Sequence, residues 1–377
     1  MVCGNRATSL TRLTLVALLC CGAGCADGNA NGNKSFDQTG TAAGGHRTEI
    51  SGFVPVPLRD TENALSGALG ELGFTETVDQ VSAEVGFESG RLKGRVRDNS
   101  GSPEVLSGIQ SLVYMDGDQH FEAFRAGWNL EYVFSGHRDD QNRFAPRRHP
   151  YQVCRESEGD SVFLVRLASQ SPWSVEHVTR LTPAGPHSID IDFRCRFLDV
   201  SRFGARKYAV FFWANYMREL HDAVIHFRGV DGVGGQEQWI RAESFGGWDV
   251  GTFLQDNASI LEFDDDHNLA FNLRSFPSPR FTCPLLLSRS AGNMVFILMF
   301  DRLKTGDDEF RFSSFPPAVD VQYVIHDVRP GHRYGFRARM SWRPWTSEED
   351  CWQEYRSWQA ALDDAGPREN CQPGSPR

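Results

Sequence analysis

The chain has 377 residues, of which 40% are hydrophobic and 12% aromatic, and a formal net charge of −10. That length suffices for one large domain or two ordinary ones with a substantial core. The acidic balance excludes a nucleic-acid partner, because phosphate binding needs clustered Lys and Arg, and the one basic run is "PRRHP" at 146–150.

In chain order, Arg6 and Arg12 precede a short apolar run, Leu13–Cys21, with no acid before it. The run is too short to span a bilayer, which takes about 20 residues, and has the length of a signal-peptide core behind a positive start. Gly22, Ala23 and Gly24 then lead into Cys25, which resembles the lipobox of bacterial lipoproteins. There the cysteine is lipidated and becomes the new N-terminus; the alternative is an ordinary cleaved secretory signal with Cys25 a free thiol. Residues 25–47 are rich in Gly, Asn, Ser and Thr and read as a flexible tether. The expected organisation is a signal peptide over 1–24, a tether over 25–47 and one β-sandwich domain over 48–377.

Two helices are expected. "DTENALSGALGELGF" at 60–74 spaces Leu65, Leu69 and Leu72 at helical intervals. "TSEEDCWQEYRSWQAALDDAG" gives a C-terminal helix over 347–364, with a capping-box pattern in Thr346 and Glu349 and an apolar stripe of Cys351, Tyr355, Trp358 and Leu362. Most of the rest reads as strands. "HSIDIDFRCRFLD" alternates Ile189, Ile191, Phe193, Cys195 and Phe197 with acids and arginines, the pattern of an antiparallel strand with one face in water. "PLLLSRSAGNMVFILMF" reads as a hairpin covered on both faces. Further strands are expected at 161–168, 175–182, 208–216, 223–229, 259–263, 268–273, 309–315, 319–325 and 334–342. Strands this frequent, without alternating long helices, define an all-β sandwich.

Five cysteines follow Cys25: Cys154, Cys195, Cys283, Cys351 and Cys371. None forms a CxxC pair or stands at zinc spacing from a histidine. Export permits disulfides, with Cys351 and Cys371 the first pair to test; reduced core thiols are the alternative.

Three segments could carry chemistry. "AGWNLEYVFSGHRDDQNRFAPRRHPY", 126–151, gathers Trp128, Asn129, Glu131, His137, Arg143, Arg147 and His149. Acids and amides accept hydrogen bonds and arginine donates them in a rigid fork, the mixture that polyhydroxyl ligands require. Its competing explanation is a polar connecting loop with arginines paired to Asp139 or Asp140. "YAVFFWANYMRELHDAVIHF", 208–227, ends its first strand in Trp213, Asn215 and Tyr216; Asn215 and Tyr216 are placed to face a groove, and Trp213 reads as core. "EFDDDHN", 262–268, reads as a solvated acidic turn rather than a calcium loop, since it lacks alternating ligands and a turn glycine. No metal site, cofactor motif or catalytic signature is present.

With these residues in view, the chain resembles the galactose mutarotase-like superfamily, large β-supersandwiches that hold carbohydrate in an open groove. "QNRFAPRR" resembles the Asn-Arg pair of the aldose epimerases, with Asn142 and Arg143 at the pair. "FFWANYM" resembles the epimerase strand that carries a catalytic histidine, but Trp213 and Ala214 stand where that histidine would be needed. The resemblance therefore implies a carbohydrate-facing sandwich and does not support epimerase activity.

The expectation is an all-β, large antiparallel β-supersandwich with a C-terminal helix, exported and anchored in the cell envelope through Cys25. It binds or processes an oligo- or polysaccharide through Asn129, Glu131, His137, Arg143, Arg147, His149, Asn215 and Tyr216, without cofactor, metal or nucleic acid. The alternatives are a glycoside hydrolase or polysaccharide lyase using Glu131 with a histidine or second acid, and an envelope lipoprotein that docks a protein partner. Glu131 is expected on the same strand face as Asn129, with Trp128 and Leu130 turned into the core and Arg147 or His149 folded back toward Glu131. Replacing the anchor residue, Cys25→Ala, is expected to move the protein from the membrane to the soluble fraction; identical partitioning of the two chains would rule the anchor out.

Overall fold

The structure, a computed structural model, describes residues 58–364 apart from 81–82, 99–105, 140–144, 149–150, 222–223, 233, 244–250, 302–307 and 316. The leader, tether and domain start near Thr48, together with Cys25, Arg143, His149 and Cys371, lie outside the described residues.

Two antiparallel sheets make up the domain. The ten-stranded sheet runs in the order Val78–Gln80, Gln152–Glu156, Val162–Arg166, Val175–Pro183, Ser188–Phe197, Arg333–Pro344, Met294–Phe300, Arg280–Ser290, Val224–Val230, Gln238–Glu243. The nine-stranded sheet runs Phe253–Leu254, Asp308–Phe315, Ala318–Ile325, Ala209–Met217, Phe124–Phe134, Gly108–Asp116, Leu92–Arg97, Glu84–Ser89, with Gln119–Glu122 pairing to Gly108–Asp116 off this path. Arg333–Pro344, the last strand in the chain, lies in the middle of its sheet, between Ser188–Phe197 and Met294–Phe300.

The period-2 alternation of 188–197 does what it predicts. Ile189, Ile191, Phe193, Cys195 and Phe197 face the nine-stranded sheet and are fully or nearly fully buried. Phe193 sits edge-on to Trp213 at 4.9 Å and to Phe211 at 5.3 Å, favourable geometries for aromatic pairs. The opposite face carries ion pairs between strands, such as Arg339 with Asp190 at 2.6 Å and Arg196 with Glu176 at 2.9 Å.

The hairpin around 290–293 is covered on both faces, as its continuous apolar run requires. Leu285, Leu287, Val295, Ile297 and Met299 form their outer cluster with Cys351, Tyr355 and Trp358 of the C-terminal helix, Glu348–Asp364. The cap of that helix is one residue later than the sequence pattern implies: Ser347 Oγ accepts from the Asp350 N–H at 3.1 Å. Ser347 serves because its hydroxyl reaches the third residue of the helix that starts at Glu348. The first helix spans Leu58–Glu71; its Leu65 and Leu69, with Leu72 just past its end, cluster with Phe163 and Val178. Cys154, Cys195, Cys283 and Cys351 are buried, and burial pushes the thiols of Cys154 and Cys351 up to about 12.

Two expected strands are absent. Residues 259–263 are not strand, and 268–273 holds a short helix, Ala270–Leu273. Their apolar residues do not alternate across a sheet. Leu261, Leu269 and Leu273 instead lie on the outer face of the nine-stranded sheet, against Tyr132, Phe212 and Val324. The run is a cover rather than a layer.

Glu354 ties the C-terminal helix to its sheet. It accepts from Arg343 Nε at 2.8 Å and Ser341 Oγ at 2.5 Å. Burial alone would raise its carboxyl, but bonds from His187 and Ser341 and the Arg343 charge outweigh that and lower it to about 2. A carboxyl depressed in the folded state stabilises above its ordinary range, and that contribution fades as pH falls toward 2. Glu354→Gln is therefore expected to destabilise by about 2–3 kcal/mol near neutral pH, with the gap closing in acid; urea titrations across pH check it, and a pH-independent gap would contradict it.

Candidate functional site

The strand Phe124–Phe134 is positioned by two irregularities. Gly127 has φ 86°, and a Cβ there would stand 2.5 Å from the Ile109 carbonyl oxygen, so only glycine lets the neighbouring strand approach. Further along, Phe212 pairs with Tyr132 and Trp213 with Leu130, which leaves Glu131 as the extra residue of a β-bulge. A bulge re-aims side chains. Leu130 faces the inter-sheet core, while Glu131 and Tyr132 both turn to the outer face.

There Glu131 is 4% exposed. Its Oε1 pairs with Arg147 Nη1 at 2.8 Å and its Oε2 accepts from the Tyr216 hydroxyl at 2.8 Å. Arg147 belongs to a one-turn helix, Ala145–Arg148, laid over the face. Its guanidinium lies 5.7 Å from the centre of the Tyr216 ring. Burial opposes the Arg147 charge, but Glu131 and Tyr216 more than offset it and raise its pKa. Burial first, then Glu131, push the Tyr216 phenol up.

The helix is fixed from the opposite sheet. Arg166, 1% exposed, donates from Nη2 to the Pro146 carbonyl at 2.8 Å and stacks 4.1 Å from the Tyr151 ring centre.

Asn129, Glu131, Arg147 and Tyr216 thus come together, and Arg147 approaches Glu131 as the sequence pattern expects. Of the other described candidates, Asn215 and His137 do not join them. Asn215 pairs in register with Trp128 and faces the sandwich interior, donating to the Val319 carbonyl. Adjacent strand residues point to opposite faces, so Asn215 and Tyr216 cannot share a groove. Trp128 is core, stacked on Trp213 at 6.3 Å. His137 joins a different cluster, with Nδ1 3.0 Å from Arg206 Nη1 and 3.4 Å from Asp264 Oδ2. It borders a cavity of about 150 Å³ shared with Phe134, Trp173 and Arg202.

The "EFDDDHN" turn closes that end. Asp264 accepts from Arg206 at 2.7 Å and from the Arg138 N–H at 3.2 Å, and His267 Nε2 meets the Ser135 carbonyl at 2.8 Å. It is a clasp holding the 259–273 cover to the 135–139 turn. Asp139 pairs with Arg202 at 3.4 Å. No group of His, Cys, Asp or Glu suited to a metal occurs among the described residues.

The sequence did not reveal the rest of the patch. Across four neighbouring strands, Asn129, Ala214, Asp320 and Ser313 stand side by side on the outer face. One step along, Tyr132, Phe212, Gln322 and Arg311 repeat the row. Six buried polar atoms here have no hydrogen-bond partner among the described residues: Asn129 Oδ1, Asn272 Nδ2, Arg311 Nη1, Ser313 Oγ, Asp320 Oδ1 and Gln322 Oε1. Buried polar groups are as a rule hydrogen-bonded to protein, water or ligand, so a cluster of such atoms marks a place that calls for a partner. The patch is closed over: Asp320 is 5% exposed and Gln322 0%.

No family model matches the chain, and no curated protein matches it by sequence. Among solved structures it is similar to a candidate aldose 1-epimerase from Escherichia coli K12, at 9% identity and TM-score 0.40, over 71% of this chain and 100% of that one. It is also similar to the α-N-acetylgalactosaminidase NagBb of Bifidobacterium bifidum in its GalNAc complex, at 10% identity and TM-score 0.42, over 75% of this chain. The chain spans only 39% of that protein's length.

Burial, then the Glu131 charge, push the Asp320 carboxyl well above its ordinary range. The folded chain therefore keeps a proton there that the unfolded chain releases above about pH 4. The group's contribution to stability is complete below that pH and is lost as pH rises. Asp320→Asn is expected to raise the Tm near neutral pH and to leave it unchanged near pH 3.5 or so; an equal shift at both would show that Asp320 titrates normally.

Proposed function

We propose that the outer face of the nine-stranded sheet, around Glu131, Arg147, Tyr216 and Asp320, binds carbohydrate. The proposed protein is exported and held at the membrane by a lipid on Cys25, with the tether letting the domain stand off the surface. The observation that carries the binding site is the set of six buried polar atoms without partners among the described residues, gathered on three strands of one sheet and the cover beside the Glu131–Arg147–Tyr216 network. An apolar docking face for a protein would not hold such a set. Arg143 and His149 stay in the proposal as residues flanking the one-turn helix in sequence. Ligand entry requires the 259–273 cover to shift, since Gln322 donates to its Asn272 carbonyl and Arg311 to its Ser259 carbonyl.

Binding ranks above catalysis because both oxygens of Glu131 are engaged, by Arg147 and by Tyr216. One observation favours hydrolysis as a second reading. Asp320 is a proton-holding carboxyl two strands from Glu131, about 10 Å by strand spacing, near the upper end of the separation used by inverting glycosidases. The fold likeness to sugar-acting proteins is too distant to choose between the two.

Calorimetry against a panel of neutral and acidic oligosaccharides tests the proposal. Glu131→Gln and Arg147→Met are each expected to weaken binding about tenfold or more, roughly 1.4 kcal/mol. A panel with no binder would sink the carbohydrate reading. Release of reducing ends, abolished in Asp320→Asn, would favour the hydrolase.

A further inference from the structure

The hydrogen-bond inventory of the patch, taken on the carbohydrate reading, narrows the ligand. Asn129 points Nδ2 at the Ala214 carbonyl, 3.4 Å away, and Gln322 points Nε2 at the Asn272 carbonyl, 2.8 Å away. A carbonyl only accepts, so these contacts fix which end of each amide is nitrogen and turn each oxygen to the other side. Asn129 Oδ1 and Gln322 Oε1 are therefore oxygens in want of donors, and Asp320 Oδ1, on a carboxyl that keeps its proton, can serve either way. Asn272 Nδ2 and Arg311 Nη1 want acceptors, and the Ser313 hydroxyl can serve either way.

The charges facing the patch are already matched. Arg147 is engaged by Glu131 at 2.8 Å, and Arg311 donates from Nε to Glu309 Oε1 at 2.6 Å. Glu309 in turn meets His326 Nε2 at 3.2 Å. Tyr216 is bonded to Glu131. Between Asn129 and Asp320 the only side chain in the row is the methyl of Ala214, which makes a low floor flanked by the two polar groups.

We infer that the ligand of this patch is an uncharged polyol, and that Asp320 contacts it. A carboxylate, phosphate or sulfate brings acceptors alone and would leave the amide oxygens facing oxygen. An ammonium brings donors alone and would leave Asn272 and Arg311 opposed. A hydroxyl donates and accepts, and a run of hydroxyls satisfies both sets. Asp320 with its proton can donate as well as accept, which suits it to the same partner.

Glucose, glucuronate and glucosamine share one ring and differ in charge, and galactose with galacturonate repeats the comparison at another stereochemistry. In calorimetry with the full chain, each neutral sugar is expected to bind at least about tenfold more tightly than its charged counterparts. Should only oligosaccharides bind, neutral and uronate-containing glycans of equal length are compared in the same way. Asp320→Ala is expected to lose about tenfold in affinity for the neutral ligand, and Asp320→Asn, which keeps a donor and an acceptor, to lose less. A uronate or an amino sugar that binds as tightly as its neutral counterpart overturns the inference and leaves the carbohydrate reading standing. Neutral binding that is unchanged in a folded Asp320→Ala chain overturns the role of Asp320. Absence of binding to every sugar tested defeats the carbohydrate reading and the inference with it.

Discussion

A carboxylate set on the outer face of a sheet and then covered must be met by a cation, and Glu131 is met by Arg147. Much of the local architecture serves that one contact. The bulge in Phe124–Phe134 lets Glu131 and its neighbour Tyr132 share the outer face, where strict alternation would turn one of them inward. The one-turn helix brings Arg147 back over the face it has just left. Arg166, from the other sheet, holds the carbonyl next to Arg147 and so couples the two sheets to the site. Removing one partner of such a buried pair leaves the other charged and dry, which is far worse than never having had the pair.

The strands were legible wherever one face was apolar and the other charged, as in 188–197, because a slip of one residue would exchange core for water. The pairing of Glu131 with Arg147 was legible too, from residue types dense in one segment. Asp320 and Gln322 were not. In "AVDVQYVIHDV" they alternate with valine and tyrosine, as residues on a solvated face do, and nothing local says that a separate stretch of chain covers that face. The cover itself, 259–273, was misread as strands because short apolar runs look alike whether they join a sheet or lie across it. Asn215 was misplaced by parity: its neighbour Tyr216 faces outward, so Asn215 cannot.

The acidic turn shows the same limit from another side. Asp264 and His267 are bound to residues 60 to 130 positions away in sequence, roughly, through contacts that only the closed fold creates. Read alone, three aspartates and a histidine look like a turn in water. In place, they fasten the cover whose apolar side chains dry the patch and leave its polar atoms with so few partners.

The position of Arg333–Pro344 bears on how the domain comes into being. Strands on one side of it end at Ser188–Phe197, and those on the other begin with Met294–Phe300. The segment that joins the two halves of the ten-stranded sheet therefore follows both of them in sequence. Until it docks, two half-sheets present bare edges, and contacts of such long sequence separation form slowly. Closure of the sheet is in that sense a late step of folding, and the open edges are what a chaperone binds in the interval.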